Sequence, residues 1–346
     1  MTRLTRADLD TLPAYVPGRA VPGAIKLASN EVPYGPLPGV LEAITAAAAN
    51  VHRYPDMGVV ELRQALADRV GVEPERIATG CGSVAISEHL VRTVCVPGDA
   101  VLYSWRSFEA YPIIAATSGV TSVKVPNTVE HGHDLPAMAD AITDRTRLVL
   151  VCNPNNPTGT ALRRPELDAF LERVPEDVLV VLDEAYSEFV TDPDVPDGIV
   201  EYGDRPNVAI LRTLSKAWGL AGLRLGYLVA APDVATAVRK VVTPFSSSML
   251  AQVAGLAALR ADDEMRRRVE IVVAERERLL DGVRKIYPEV PESQGNFVWL
   301  PLRDRTTEVA AALEKSGIYT RAFAGDGIRV TVGTPEENDA FLSALI

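Results

Sequence analysis

Short apolar, β-branched runs recur along the chain at Val101-Leu102-Tyr103, Leu148 to Cys152, Val178 to Leu182, Val208 to Leu211 and Gly226 to Ala230, separated by stretches with helical spacing. Such alternation predicts an α/β fold, a largely parallel sheet covered by helices. The rhythm holds from about residue 29 to 243 and is broken once, by a Pro/Asp-rich loop from Thr191 to Pro206. After Thr243-Pro244-Phe245 and a run of serines it changes. Met249 to Ile286 reads as one long charged helix, with Arg266, Arg267 and Arg268 following Asp262, Asp263 and Glu264 on a solvated face. Strands are then expected at Phe297 to Leu300 and Ile328 to Val332, flanking another helix. The expected organisation is an N-terminal arm (1–28), a large domain (29–243) and a smaller α+β domain (244–346).

Bulk properties narrow the classes. A chain of 346 residues that is 47% hydrophobic exceeds what one core usually absorbs, which agrees with two packed units. No apolar run reaches membrane-spanning length, and Met1 to Asp10 mixes charged and apolar residues without a signal-peptide core, so a cytoplasmic protein is expected. Cys81, Cys95 and Cys152 are too few and too scattered for a disulfide framework or a tetrahedral metal site; they read as buried small apolar groups. A net charge of -11 argues against a nucleic-acid partner but leaves room for a local basic pocket holding one small anion. His131-Gly132-His133 could mimic a metal pair, but nothing nearby completes a ligand set. His52 and His89 read as packing or surface histidines, and Trp218 and Trp299 as core.

The candidate chemistry sits where strands end, the edge at which open α/β sheets place ligands. After Leu148 to Cys152 comes Asn153-Pro154-Asn155-Asn156-Pro157-Thr158-Gly159, a Pro-punctuated turn presenting amide side chains. Asp183 follows Val178 to Leu182; a carboxylate there is either a helix N-cap or a buried charge that requires a cation or donor opposite. The third end reads Thr213-Leu214-Ser215-Lys216-Ala217-Trp218-Gly219-Leu220-Ala221-Gly222-Leu223-Arg224. Its hydroxyls and guanidinium suit a phosphate, and its amine suits a carbonyl. Gly80-Cys81-Gly82-Ser83-Val84 opens an apolar helix, where glycines let backbone N–H groups approach an anion. It does not extend to a G-x-G-x-x-G dinucleotide fingerprint, since position 85 is alanine.

In their order along the chain, the Asn156 turn, Asp183-Glu184-Ala185-Tyr186 and Ser215-Lys216 resemble the fold-type I pyridoxal 5'-phosphate (PLP) aminotransferases of the histidinol-phosphate aminotransferase group, over essentially the whole length. Tyr15 to Gly18, Ala24 to Glu31, Gly35 to Pro38, Trp105 to Glu109 and Arg321 to Asp339 resemble most the actinobacterial aromatic amino acid aminotransferases. The resemblance implies a seven-stranded-type sheet and a role for each matched residue. Lys216 would form the Schiff base and shuttle the proton, and Asp183 would pair with the pyridinium nitrogen. Asn156 and Tyr186 would hydrogen-bond the phenolic oxygen, with Phe108 stacked on the ring. The Ser83 and Val84 backbone with Thr213, Ser215 and Arg224 would cup the phosphate, joined by Tyr54 from the other subunit of a homodimer. Arg329 would grip the substrate α-carboxylate, Asn30 would close near it, and Tyr15 would line the substrate side.

The implied reaction is transamination of phenylalanine, tyrosine or tryptophan with a 2-oxo acid such as 2-oxoglutarate. Arg321 stands where phosphate-reading relatives also carry arginine, so histidinol phosphate stays open as the substrate. A PLP-dependent lyase would use the same cradle, and a non-catalytic PLP-binding regulator would be expected to lack Lys216.

Overall fold

The computed structural model describes residues 21–345 together with Leu4, Asp10 and Leu12. Eleven strands are present among the described residues: β1 (Ile25–Leu27), β2 (Ile77–Cys81), β3 (Ala100–Trp105), β4 (Thr121–Pro126), β5 (Thr146–Cys152), β6 (Leu179–Asp183), β7 (Val208–Thr213), β8 (Leu225–Val229), β9 (Phe297–Leu300), β10 (Ile318–Phe323) and β11 (Gly327–Thr331). Seven form one sheet in the order β2-β8-β7-β6-β5-β3-β4. All its pairings are parallel except those of β8, which runs antiparallel to both β2 and β7. The expected α/β fold with a mainly parallel seven-stranded sheet is therefore present.

The sheet's inner strands are buried on both faces, as their unbroken apolar sequences require; β6 and β8 have no exposed residue. β6 begins at Leu179 and ends on Asp183 itself, so that carboxylate belongs to the strand and caps no helix. In register, Cys152 lies beside Asp183, and Asp183 beside Leu211. The C-terminal tips of β5, β6 and β7, the end of β2 and the start of β8 share one edge of the sheet.

The second sheet has the order β1-β10-β11-β9, with β1 parallel to β10 and the remaining pairs antiparallel. Residues 25–27, counted in the sequence as part of a separate arm, thus form a strand of this sheet. Their chain continues through Ala28, Ser29 and Asn30 to the large sheet's edge.

The expected single helix from Met249 to Ile286 is two helices. Met249–Arg260 and Asp262–Arg284 meet at Ala261, whose φ of -100° and ψ of 32° break the helical path. The reason lies on both sides of the break. The first helix buries Ala251, Ala254, Gly255 and Ala258 and packs on Val40–Ala48. The second opens on Asp262, Asp263 and Glu264, acidic residues that favour a helix N-terminus. Arg266 and Arg267 are exposed and pair with Asp262 and Glu264, as the solvated-face reading expects, while Arg268 is largely covered.

Candidate active site

A cavity of about 210 Å³ opens at the shared strand edge, between the two sheets. It is lined by Ala28, Ser29, Ser83, Val84, Phe108, Glu109, Cys152, Asn156, Asp183, Ala185, Tyr186, Thr213, Ser215, Lys216, Arg224, Arg321 and Arg329. Ten of the residues expected in the site thus line one space: Ser83, Val84, Phe108, Asn156, Asp183, Tyr186, Thr213, Ser215, Lys216 and Arg224, with Arg329 facing them from the small sheet.

Asp183 is buried, and its Oδ2 accepts a hydrogen bond from the Tyr111 hydroxyl at 2.7 Å. Its Oδ1 has no hydrogen-bond partner. Burial raises this carboxyl from its ordinary 3.8 to about 6, against the opposing pull of Tyr111 and Lys216. Lys216 reaches the backbone carbonyl of Ser29 at 3.1 Å, and its ammonium lies 5.8 Å from the centre of the Tyr186 ring. Burial, reinforced by the positive charges of Arg329 and Arg224, lowers this amine to about 7. A buried amine near 7 is half neutral at physiological pH, the state in which nitrogen attacks carbonyls.

One wall is an anion cradle. The helix Gly82–Val94 starts directly after β2, so the amides of Ser83 and Val84 sit in its first turn. Arg224, in the left-handed region with φ 56°, places Nη1 3.4 Å from Ser215 Oγ. Two glycines permit this closeness. A Cβ on Gly82 would lie 2.5 Å from Arg224 Nη2, and one on Gly226 only 2.4 Å from the Ser83 amide nitrogen. Thr213 completes the cradle, its Oγ1 accepting the Ser215 amide at 3.2 Å.

The opposite wall comes from the small sheet. Arg329 donates to Asn156 Oδ1 at 2.5 Å and to the Ala28 carbonyl at 2.6 Å. Asn30 is buried but stands behind the lining: its Nδ2 donates to the Tyr186 hydroxyl at 2.9 Å, and its Oδ1 accepts from Thr331 at 3.0 Å. Burial pushes the Tyr186 phenol well above its usual range. Phe108 meets Tyr111 edge to face with ring centroids 5.5 Å apart.

Tyr54 does not line this cavity. It is 79% exposed and stacks on Phe245 at 4.5 Å. Tyr15 lies outside the described residues. Other residues singled out in the sequence have local contacts of their own. His133 is buried and bonded to the Cys152 carbonyl at 2.7 Å, and no cluster of metal-ligating side chains occurs among the described residues. Trp218 and Trp299 are buried. Of the cysteines, only Cys152 is fully buried; Cys81 and Cys95 are partly exposed, both lying near element ends.

Sequence reasoning missed Tyr111, Cys152 and Glu109. Tyr111 had a usable signal: it follows Phe108 by three residues in Phe108-Glu109-Ala110-Tyr111, one helical turn, so both rings face the same way.

A buried amine and a buried carboxyl lining one cavity, with backbone amides and Arg224 on one side and Arg329 on the other, have the chemistry to hold a phosphorylated carbonyl compound beside an amino acid. Residues 22–345 match the family Aminotransferase class I and II, and the chain belongs to that family. It is 57% identical over 341 residues to an aromatic amino acid aminotransferase from Streptomyces coelicolor, covering 97% of this chain and 95% of that protein. It is 56% identical over 343 residues to one from Rhodococcus jostii, covering 99% and 95%. Among solved structures, histidinol-phosphate aminotransferase from Sinorhizobium meliloti in complex with pyridoxal-5'-phosphate superposes with a TM-score of 0.88 at 30% identity, covering 100% of this chain and 97% of that one.

Proposed function

We propose that the protein transfers the amino group of phenylalanine, tyrosine or tryptophan to a 2-oxo acid such as 2-oxoglutarate, with PLP held in the cavity. The observation that carries this reading is that Lys216 and Asp183 line one cavity, the first a buried amine and the second a buried carboxyl whose Oδ1 has no hydrogen-bond partner. The residues fit the cofactor: Oδ1 can accept the N–H of a protonated ring nitrogen, and the Gly82-Ser83-Arg224 cradle suits its phosphate. When bound, PLP supplies an electron-withdrawing ring that makes the substrate Cα–H acidic.

The chain's residues then divide the work. Asp183, oriented by Tyr111, holds the ring nitrogen protonated. The Lys216 amine would take the proton from the substrate Cα and give it up at the cofactor carbon that had carried the carbonyl oxygen, a transfer favoured by a group that titrates near 7. Asn156 and Tyr186 bond the phenolic oxygen, Asn30 fixes the Tyr186 hydroxyl, and Phe108 covers the ring face. Arg329 binds the α-carboxylate, exchanging its hydrogen bonds to Asn156 and Ala28 for a charged partner.

The aromatic substrate class rests on the likeness to the Streptomyces and Rhodococcus enzymes and on Phe108 at the cavity wall. Arg321 in the same wall keeps histidinol phosphate as the second reading. The exposed Tyr54–Phe245 stack supports a homodimer in which Tyr54 reaches the partner's phosphate cradle. No described helix is long and apolar enough to cross a membrane; the cytoplasm is proposed from the few, scattered cysteines, and Tyr15 as a substrate-side residue from the family resemblance alone. Residues 29–243 and 244–346 are taken as its large and small domains.

Single-turnover absorbance of the cofactor-loaded protein tests the reading. Rapid loss of the cofactor band with phenylalanine and a slow response to histidinol phosphate is the expected result; the reverse order assigns histidinol phosphate as substrate, and no cofactor band overturns the proposal.

A further inference from the structure

Two arginines of the small sheet stand side by side in the cavity wall. Arg321 on β10 and Arg329 on β11 are direct cross-strand partners, and both line the cavity. Like charges directly opposite on neighbouring strands destabilise a sheet unless each finds a counter-charge. Arg329 donates to Asn156 and to the Ala28 carbonyl. Arg321 has an acid: its Nη2 lies 2.7 Å from Glu109 Oε2, with the two side chains only 15% and 27% exposed. Its guanidinium also lies 5.4 Å from the centre of the Phe323 ring.

The segment that carries Glu109 is held where it is by a second pair. Arg106 bonds Asp326, on the turn between β10 and β11, at 2.6 Å, and its guanidinium sits near the Trp105 and Phe323 rings at 4.7 and 5.5 Å. Residues 105–109 are therefore docked on the β10–β11 hairpin at two points. Asp326 is taken by Arg106, and Glu109 faces Arg321. Phe108, the residue before it, lines the same cavity.

We propose that Glu109 is a specificity-determining residue: by holding Arg321 in an ion pair at the cavity wall, it makes the admission of an anionic side chain a competition and leaves neutral aromatic side chains unopposed. This rests on the aminotransferase reading above and adds to it the rule by which the side-chain end of the site discriminates. With the pair closed, Glu109 offsets the charge of Arg321 at the wall beside Phe108, which an apolar ring tolerates. A carboxylate or phosphate on the substrate side chain must displace Glu109 from Arg321 before gaining that cation, and it gains only the difference between the two pairings. Glu109 has no part in the chemistry at Cα; it acts through Arg321.

The test uses two unreactive analogues with the cofactor-loaded, full-length protein: glutarate, whose second carboxylate stands for an anionic side chain, and 3-phenylpropionate, whose ring stands for an aromatic one. Calorimetry of Glu109→Gln is expected to show glutarate binding about tenfold tighter, the size of effect that removing one competing charge at a partly covered site produces, while 3-phenylpropionate changes less than about twofold. Glu109→Gln with Arg321→Gln should lose the glutarate gain entirely. Glutarate affinity unchanged in Glu109→Gln, an equal change for both analogues, or a gain that survives in the double variant overturns the inference. Failure of the function reading is separate: it shows as wild-type protein that does not turn over phenylalanine, a measurement that does not involve Glu109.

Discussion

Replacing Asp183 by Asn should stabilise the cofactor-free protein while abolishing its activity. The carboxyl is buried and its folded-state value lies near 6, against an ordinary 3.8. A difference of that size corresponds to about 3 kcal/mol, at about 1.4 kcal/mol per pH unit. The sign follows from which state holds the proton more tightly. Here the folded chain does, so folding is favoured at low pH, and that advantage is lost as pH rises from about 4 through 6. Above pH 6 the folded protein carries the full penalty of a buried charge, which the amide does not. Asn keeps the volume, and its carbonyl oxygen can still accept the Tyr111 hydroxyl. Lys216, itself lowered to about 7, is mostly neutral at pH 8, so little attraction is lost there. The expected gain is therefore about 2–3 kcal/mol at pH 8, shrinking toward zero at pH 4. For a chain of this length that is a rise in melting temperature of about 3–4 °C. Calorimetric melting of both cofactor-free proteins at pH 8 and pH 4 reads it directly. A variant no more stable than wild type at pH 8, or stabilised equally at both pH values, refutes the reasoning. The same substitution should lower amino transfer by at least about a hundredfold, because a neutral amide cannot hold the ring nitrogen protonated.

The burial that lowers Lys216 to about 7 should make uptake of PLP by the cofactor-free protein accelerate through pH 7, not near 10; stopped-flow absorbance across pH 5.5–9 reads the midpoint, and Lys216→Ala should form no covalent adduct. Gly226→Ala would set a Cβ 2.4 Å from the Ser83 amide nitrogen, so the helix start must shift and PLP affinity should fall by about tenfold or more in an equilibrium titration, with near-native circular dichroism. Arg212 bonds buried Glu184 through Nε and Nη2 at 3.1 and 2.7 Å, and burial pushes that carboxyl up to about 7. Arg212→Met should destabilise the fold by about 3 kcal/mol at pH 8, measured by denaturant unfolding, and by less at pH 5.5, where Glu184 is protonated.

Much of the large sheet was legible because its strands are buried on both faces, which forces unbroken apolar runs such as Leu148 to Cys152 and Val208 to Leu211. The strands that were not legible lack such apolar runs. β4, at the sheet edge, alternates exposed and partly covered residues and includes Lys124 and Pro126. β2 is buried but short of large apolar side chains, with Thr79 and Gly80 in its five residues, and Gly80-Cys81 was taken for the lead-in to the helix that follows. β1 has three residues, and its parallel pairing with Ile318, Tyr319 and Thr320 joins segments nearly three hundred positions apart. Strand direction is equally silent in a hydrophobic pattern: β8 has the same apolar run as its neighbours but is antiparallel to both.

The site divides along the same line. Its large-domain half was legible because parallel strands deliver their C-terminal residues to one edge, so Asn156, Asp183 and Lys216 could be placed together by counting strand ends. What could not be counted is the closure between sheets. Ser29 meets Lys216, Ala28 and Asn156 meet Arg329, Asn30 meets Tyr186, and Glu109 meets Arg321 only after the small sheet has packed over the strand tips. Each contact joins a polar group to another far along the chain, and each is buried or nearly so, where an unmet hydrogen bond or charge is most destabilising. The polar residues that a sequence leaves without an evident partner inside an apolar strand, such as Arg329 within Ile328 to Val332, are therefore the places where one domain must meet another. In this chain that meeting brings Ser29 and Arg329 to Lys216, whereas Asp183 is covered by Cys152, Leu211 and Tyr111 of the large domain, so the lowered amine draws on both sheets and the raised carboxyl on one.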